Sequence, residues 1–168
     1  GFEAAQPIIH SDMLAVLPEY RSHGLGRRLK LAQRDAALAA GIHRITWTFD
    51  PLQARNAFLN FHRLGVTSNR YLRDFYGETT SPLHAAGTDR LWVIWDLDQA
   101  AVLGPQASGD LLIEIPTDGR QTTIRRDFES AFAEGYVAVD FDRDANAYVL
   151  DKGDECASYS RTDSDSRA

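Results

Sequence analysis

A short apolar segment, two closely spaced glycines and an immediate helix follow one another near the start of this chain. The apolar segment 11–17 reads as a strand and ends at Pro18, which has no amide hydrogen to donate to a sheet. Gly24 and Gly26 then allow the backbone to turn sharply and to come close to a ligand. A helix that begins at Leu25 points its first unpaired amides outward, backed by the positive end of the helix dipole. This arrangement predicts a binding site for a phosphate or a pyrophosphate.

Three basic side chains, Arg27, Arg28 and Lys30, fall in the opening turns of this helix. Cations at a helix N-terminus are unfavourable by about 0.3–1 kcal/mol each, and a bound anion would reverse that penalty. The position of these charges therefore supports an anion site. Because the basic residues are confined to one short segment, they suit a compact anion better than a polymer.

The spacing argues against several phosphate-binding motifs. A dinucleotide-binding fold would need a third glycine where Leu29 stands. A Walker loop would need Gly-Lys-Ser/Thr after a four-residue gap, and a protein kinase would need its downstream signatures, and both are missing. An ordinary strand-to-helix turn with two glycines stays open as an alternative.

Hydrophobic periodicity divides the first 98 residues into strands and helices. Gly41 and Gly65 would end the two helices in a left-handed conformation. The order strand, helix, strand, helix, strand, strand indicates an α/β sheet with helices packed on it. The predicted strands are 11–17, 43–49, 66–76 and 90–97, and the predicted helices are 25–40 and 52–64.

The second part of the chain has a different composition. Residues 99–109 are small and contain glycine and proline, which predicts a linker after a core of residues 1–98. An extension at 110–151 follows as a small α/β appendage, and the polar residues 152–168 predict a disordered tail. Within the extension we expect a strand at 110–115, a helix at 121–134, and a hairpin of 136–141 and 146–150.

The segment Met13–Lys30 strongly resembles the acetyl-CoA-binding segment of the GNAT (general N-acetyltransferase) superfamily, whose signature is Arg/Gln-x-x-Gly-x-Gly/Ala after a strand. The run Ile45–Ala57 resembles one group of bacterial predicted GNAT acyltransferases, and the likeness extends over about 8–97, somewhat over half of the chain. The resemblance implies a mixed, mostly antiparallel sheet flanked by helices. It also implies an enzyme that moves an acetyl or other acyl group from acetyl-CoA to a small-molecule or peptide amine.

The resemblance assigns cofactor contacts by position. The strand backbone would pair with the pantetheine arm, and the glycine loop would wrap the pyrophosphate, chiefly through backbone N–H groups. Asn56 falls where GNAT members often place an asparagine facing the cofactor arm, and capping of the following helix is an equal alternative. The implied cofactor-binding residues are Leu14, Ala15, Val16, Arg21, His23, Gly24, Leu25, Gly26, Arg27 and Asn56.

The general acid is where the chain departs from the family. Many GNAT members place a tyrosine four residues before a helix-ending glycine, and here Phe61 stands four residues before Gly65. Positioning alone can supply much of the rate, so a dedicated acid is not required. An inactive or non-catalytic CoA-binding module is the alternative hypothesis. The candidate proton-transfer residues are His62, Tyr71, Tyr76 and Asp50.

Charge argues against nucleic acid as a partner. Residues 1–98 contain 11 Lys/Arg against 10 Asp/Glu, whereas residues 99–168 contain 7 against 14. An acidic half of this kind repels a polyanion. His10, His43 and His84 are scattered without ligand spacing, so we expect no metal.

The remaining expectations concern location and assembly. Cys156 is the single cysteine, which excludes an internal disulfide. No apolar run approaches the roughly 20 residues of a membrane span, and the N-terminus does not resemble a signal peptide, so we expect a cytoplasmic protein without a membrane partner. Only about ten residues precede the cofactor strand, which predicts that the domain is N-terminally incomplete. An exposed sheet edge would favour pairing with a second chain, for example in a homodimer.

Overall fold

A computed structural model of the protein describes residues 6–12, 14, 17, 19, 24–77, 87–98 and 109–152. The strands are Ile9–His10 (β1), Arg44–Phe49 (β2), Thr67–Leu72 (β3), Arg90–Asp96 (β4), Leu111–Glu114 (β5), Tyr136–Asp142 (β6) and Ala147–Lys152 (β7). The helices are Leu25–Ala39 (α1), Ala54–Ala57 (α2) and Gln121–Ala133 (α3), and a π-helix at Phe58–Arg63 continues α2 directly. Most of the predicted linker and all of the predicted tail beyond Lys152 lie outside the described residues.

The seven strands form one sheet in the order β1-β2-β4-β3-β6-β7-β5. Only β1 and β2 are parallel, and every other neighbouring pair is antiparallel. The predicted mixed, mostly antiparallel sheet with flanking helices is therefore confirmed. The C-terminal strands extend the same sheet, because Ser68 of β3 pairs with Ala138 of β6.

Helices pack on one face of the sheet. Trp47 and Phe49 of β2 are buried on that face, whereas Thr48 between them is half-buried on the other. The ammonium group of Lys30 in α1 lies over the Trp47 ring, and Phe61 of the π-helix packs edge-on against Phe49 with ring centroids 6.2 Å apart. On the opposite face, Thr48, Trp92 and Ile94 are half-buried.

The first strand is where the sequence prediction fails. The predicted strand at 11–17 is wrong for the described residues 11, 12, 14 and 17, none of which lies in a strand. The strand instead lies at Ile9–His10. Apolar runs arise wherever the chain packs against other elements, and here Leu14 lies beside Gly26 of α1 rather than in the sheet.

The other boundaries agree with prediction to within a few residues. Helix α1 ends before Gly41, whose φ of 72° is the left-handed conformation expected of a helix stop. The strand predicted at 66–76 ends at Leu72, because the chain turns at Asp74 with a φ of 43°. The predicted helix at 52–64 begins later, at Ala54, and changes to π geometry at Phe58.

A buried ion pair ties α3 to the sheet. The Asp89 carboxylate is fully buried, and the Arg125 guanidinium donates to both of its oxygens, from Nε at 2.7 Å and from a terminal nitrogen at 2.6 Å. The Asp74 amide and the Tyr71 hydroxyl donate to the same carboxylate at 3.0 and 2.9 Å. The Gln121 side chain accepts from the Asp89 amide at 2.9 Å, so the first turn of α3 joins the network.

Candidate functional site

The two parallel strands of the sheet separate after a short contact. His10 is the last paired residue of β1, opposite Thr46, and the Ser11 amide then donates to the Thr46 carbonyl at 2.8 Å. Strand β2 continues to Phe49, and over these last residues it is paired only with β4 within the part of the chain that the structure describes. Among the described residues, nothing pairs with the parallel edge of β2 beyond Thr46, and an extended ligand with amide groups could pair there.

The start of α1 has the geometry of an anion site. Gly24 caps the helix with a φ of 70°, a left-handed conformation that favours glycine. No side chain caps the helix and its first turn contains no acidic residue. The Arg28 amide makes the first helical bond, to the Gly24 carbonyl at 3.1 Å. The amides of Leu25, Gly26 and Arg27 therefore precede the first helical hydrogen bond.

Arg27 supplies a second, independent sign of an anion. Its Nε is buried and has no hydrogen-bond partner among the described residues. An orphaned buried donor of this kind is costly, by about 1–3 kcal/mol, unless a ligand satisfies it. A phosphate oxygen at the start of α1 would do so, since guanidinium groups match phosphate geometry.

Close packing explains the second glycine. A Cβ built on Gly26 would lie 3.5 Å from Leu59 Cδ2 and 4.0 Å from Leu14 Cδ2. The start of α1 therefore meets both the π-helix and the segment that leaves β1. A side chain larger than alanine at this position would push against both leucines.

Lys30 does not join this site, contrary to the role expected for it. Its side chain is buried, its ammonium group lies 3.7 Å from the centroid of the Trp47 ring, and it donates to Ser11 Oγ and Gln33 Oε1, both at 3.2 Å. The helix turns this residue towards the sheet, because it lies on the buried face of α1 with Ala37. Burial lowers the pKa of the Lys30 ammonium to about 8.

A change of Lys30 to methionine should alter how stability depends on pH. Because the folded-state pKa is lowered from 10.5 to about 8, the unfolded chain holds more protons between these values, and wild-type stability rises with pH across this window. We expect Lys30→Met to lose a rise of about 2 kcal/mol in the free energy of unfolding. Urea titrations at pH 7.5 and 10 measure the difference, and equal slopes for both proteins would contradict it.

The implied cofactor residues divide into two groups. Leu14, Gly24, Leu25, Gly26 and Arg27 lie together around the start of α1. Four others lie outside the described residues, namely Ala15, Val16, Arg21 and His23.

Asn56 is an exposed residue of α2, near the end of β2. The interpretation of Asn56 as a helix cap is wrong, because Gln53 is the N-cap of α2 and the Asn56 amide donates to its carbonyl at 2.9 Å. Its part in cofactor binding stays a prediction.

His62 lies on a different flank of the π-helix from the start of α1. Its Nδ1 is 3.1 Å from Asp140 Oδ1, and its ring stacks on Phe58 with centroids 4.7 Å apart. It lines a cleft of about 530 Å³ with residues of β6 and β7, including Phe141 and Val149. The neighbouring Leu59 faces Gly26, so the helix separates this cleft from the anion site.

The other proton-transfer candidates are held by structural contacts. Burial and the bond to Asp89 raise the pKa of the Tyr71 hydroxyl. Asp50 Oδ1 accepts from the Leu52 amide and from Gln121 Nε2, each at 3.0 Å, which fits a turn-forming role. Tyr76 is half-exposed and packs edge-on against Phe75 in the turn after β3.

The position of the missing phenol is apolar. Phe61 is buried, with the Tyr148 ring edge-on at 5.6 Å. The Tyr148 hydroxyl donates to the Pro51 carbonyl at 2.6 Å, and burial raises its pKa well above the usual range. Tyr148 therefore does not replace the absent tyrosine as a proton donor.

The sequence did not indicate a functional role for His10. The structure places it at the point where the parallel strands separate, with Nδ1 3.1 Å from Thr46 Oγ1. Its ring stacks on Trp92 with centroids 4.9 Å apart at 19°. No spacing rule marks this histidine, because its partners lie on β2 and β4 and come close only through strand pairing.

No group of three or more His, Cys, Asp or Glu side chains among the described residues could hold a metal ion. Within the same residues, no helix is long and apolar enough to cross a membrane.

Residues 2–66 match the family model described as the acetyltransferase (GNAT) family. This segment is therefore similar to the GNAT family. It contains β1, α1, β2 and the helix that follows, and so it contains the whole anion site. A crystal structure of a GNAT family acetyltransferase from Elizabethkingia anophelis with acetyl-CoA bound is similar, with a TM-score of 0.44 and 14% identity. The similarity covers 52% of this chain and 61% of that one. No curated protein gives a significant match.

Proposed function

We propose that this chain transfers an acetyl or other acyl group from acetyl-CoA to a small-molecule or peptide amine. The start of α1 would bind the pyrophosphate, and the open edge of β2 would accept the pantetheine arm. The observation that carries the proposal is the uncapped helix start beside the buried Arg27 Nε, for which the described residues offer no hydrogen-bond partner. Both features are unfavourable in the free protein and both are relieved by one anion.

Each part of the site has a separate task in this reaction. The amides of Leu25, Gly26 and Arg27 would bind phosphate oxygens, with the Arg27 guanidinium adding charge-assisted bonds. The parallel edge of β2 would fix the direction of the arm, so that the thioester is held at the strand gap. Holding the thioester beside a bound amine supplies much of the rate by orientation alone.

Titration with acetyl-CoA tests the proposal. Isothermal calorimetry should give a single site, and CoA and acetyl-CoA should both raise Tm because they bind only the folded state. Free thiol release across a panel of primary amines should show turnover. Absence of heat and of thermal protection at millimolar acetyl-CoA would overturn the assignment.

A non-catalytic CoA-binding module is the second candidate function. It is favoured by Phe61, which places a buried apolar ring where a phenol would donate a proton to the leaving sulfur. Binding of acetyl-CoA without thiol release for any amine supports this candidate. Sustained turnover by the purified chain excludes it.

A further inference from the structure

We propose that His10 is the general base of this acyl transfer, taking a proton from the acceptor amine at the gap between β1 and β2. The inference rests on the proposed function and adds the catalytic residue that the sequence did not provide. It also fixes the face of the sheet from which the amine approaches.

The location of His10 is the first argument. It is the last residue of β1 paired with β2, so it borders the point at which the open edge begins. Under the proposed binding mode, the thioester end of the pantetheine arm reaches this gap. A general base must lie within reach of the attacking nitrogen, and position is the first requirement for such a role.

The two ring nitrogens of His10 have different surroundings. Nδ1 lies 3.1 Å from Thr46 Oγ1, and in the tautomer in which Nδ1–H donates to that hydroxyl, Nε2 carries the lone pair that can accept a proton. Asp12 Oδ1 lies 3.7 Å from Nε2 and would stabilise the imidazolium that forms. Thr46 is buried, whereas the Asp12 side chain is 94% exposed, so Nδ1 faces the interior and the imidazolium charge would be balanced from the solvent side.

The surroundings of the ring leave access for an acceptor. The His10 side chain is 38% exposed and stacks on Trp92, which lies on the half-exposed face of β4. The Arg70 guanidinium of β3 lies 5.7 Å from the centroid of the Trp92 ring. Among the described residues, Asp12 is the charged group beside the imidazole, Arg70 lies on the Trp92 ring that the imidazole stacks on, and Lys30 reaches the neighbouring Ser11 from the α1 side. An amine would approach from the face opposite α1.

The step balances with acetyl-CoA and the amine alone. The acceptor arrives as an ammonium ion, and His10 Nε2 removes one proton and later releases it to water. The nitrogen lone pair forms the C–N bond, the thioester C–S bond breaks, and the second proton from nitrogen goes to the CoA sulfur. The products are the amide and free CoA thiol.

The test compares His10→Gln with His43→Gln in the same assay. Glutamine can still donate to Thr46 but cannot take the proton, and we expect kcat/KM to fall by about 100-fold or more while the affinity for acetyl-CoA changes less than twofold. The acidic limb of the kcat/KM pH profile should flatten in this variant. His43, whose Nδ1 lies 2.8 Å from Asp98 at the other end of β2, is a surface histidine with a carboxylate partner and should change neither quantity.

Two further variants separate a chemical role from a structural one. His10→Ala should recover part of its activity when imidazole is added, which a packing defect would not do. Thr46→Val removes the hydrogen bond between Thr46 Oγ1 and His10 Nδ1 and should lower kcat with KM unchanged.

Transfer by His10→Gln at the wild-type rate and with the wild-type pH profile would overturn the role of His10 but leave the proposed function. A wild-type chain that binds acetyl-CoA without turnover would overturn His10 as a base and leave only a binding module, and a chain that fails to bind would overturn both.

Discussion

Replacement of Asp89 by asparagine is expected to lower the free energy of unfolding by about 3 kcal/mol, because it removes the buried carboxylate and leaves the Arg125 guanidinium only the exposed Asp74 as a charged partner. The Asp89 side chain is completely buried and accepts four hydrogen bonds, two of them from Arg125. Asparagine keeps one acceptor oxygen but presents an amide group to a guanidinium. The loss therefore combines a cation without its buried partner and a misdirected donor.

The pH dependence gives an independent check on this prediction. Burial alone would raise the pKa of Asp89, but the Arg125 guanidinium, the Asp74 amide and the Tyr71 hydroxyl hold it below its ordinary value. A carboxyl with a lowered folded-state pKa stabilises the protein above its unfolded pKa of about 3.9, and that contribution is lost as the pH falls. The stability gap between wild type and Asp89→Asn should therefore close in acid.

Chemical denaturation at pH 7 and pH 3 measures both effects, with two control variants. Arg126→Gln breaks an exposed pair with Asp127 and should leave stability unchanged. Addition of Arg125→Met to Asp89→Asn should recover part of the loss, since the guanidinium that has lost its buried partner is then removed. Equal stability of Asp89→Asn and wild type at pH 7 would show that the ion pair does not hold α3 to the sheet.

The same network shows what the sequence could indicate and what it could not. Helix α3 was predictable from Ile124 and Phe128, which recur at helical spacing and are buried. Nothing in that periodicity shows that Gln121 would join Asp89 to Asp50, since these residues are far apart along the chain. Local sequence patterns predict helices and strands, whereas polar networks depend on how these elements pack against one another.

The candidate functional site was likewise predictable only where its signals are local in the sequence. The start of α1 was predictable because its signals are local: two glycines, a basic first turn and an immediate apolar stripe. Lys30 was misplaced because charge suggests exposure, whereas its position on the helix turns it onto Trp47. His10 could not be found, because its contacts with Thr46 and Trp92 depend on strand register.

Reversal of the charge at Arg27 should have opposite effects on ligand binding and on stability. Glutamate at the third helical position interacts favourably with the helix dipole, by about 0.3–1 kcal/mol. The change also removes a buried donor that has no partner within the described part of the chain. The same carboxylate would repel a pyrophosphate at the helix start. We therefore expect Arg27→Glu to lose at least about 100-fold in affinity for acetyl-CoA, since each charge-assisted bond contributes about 1.5–3 kcal/mol, while Tm stays equal or rises.

Arg28→Glu is the matched control for this prediction, because it makes the same change in net charge at the next residue, which is exposed. Its effect acts only through the screened field at the surface, so we expect a loss of affinity below about tenfold that shrinks as salt is added. Calorimetric titration of both variants at two salt concentrations, together with thermal denaturation, measures the contrast. Equal losses in the two variants would mean that the general positive charge of the helix attracts the ligand. A larger and salt-resistant loss in Arg27→Glu places the phosphate against the buried Nε, because only a contact removed from solvent escapes screening.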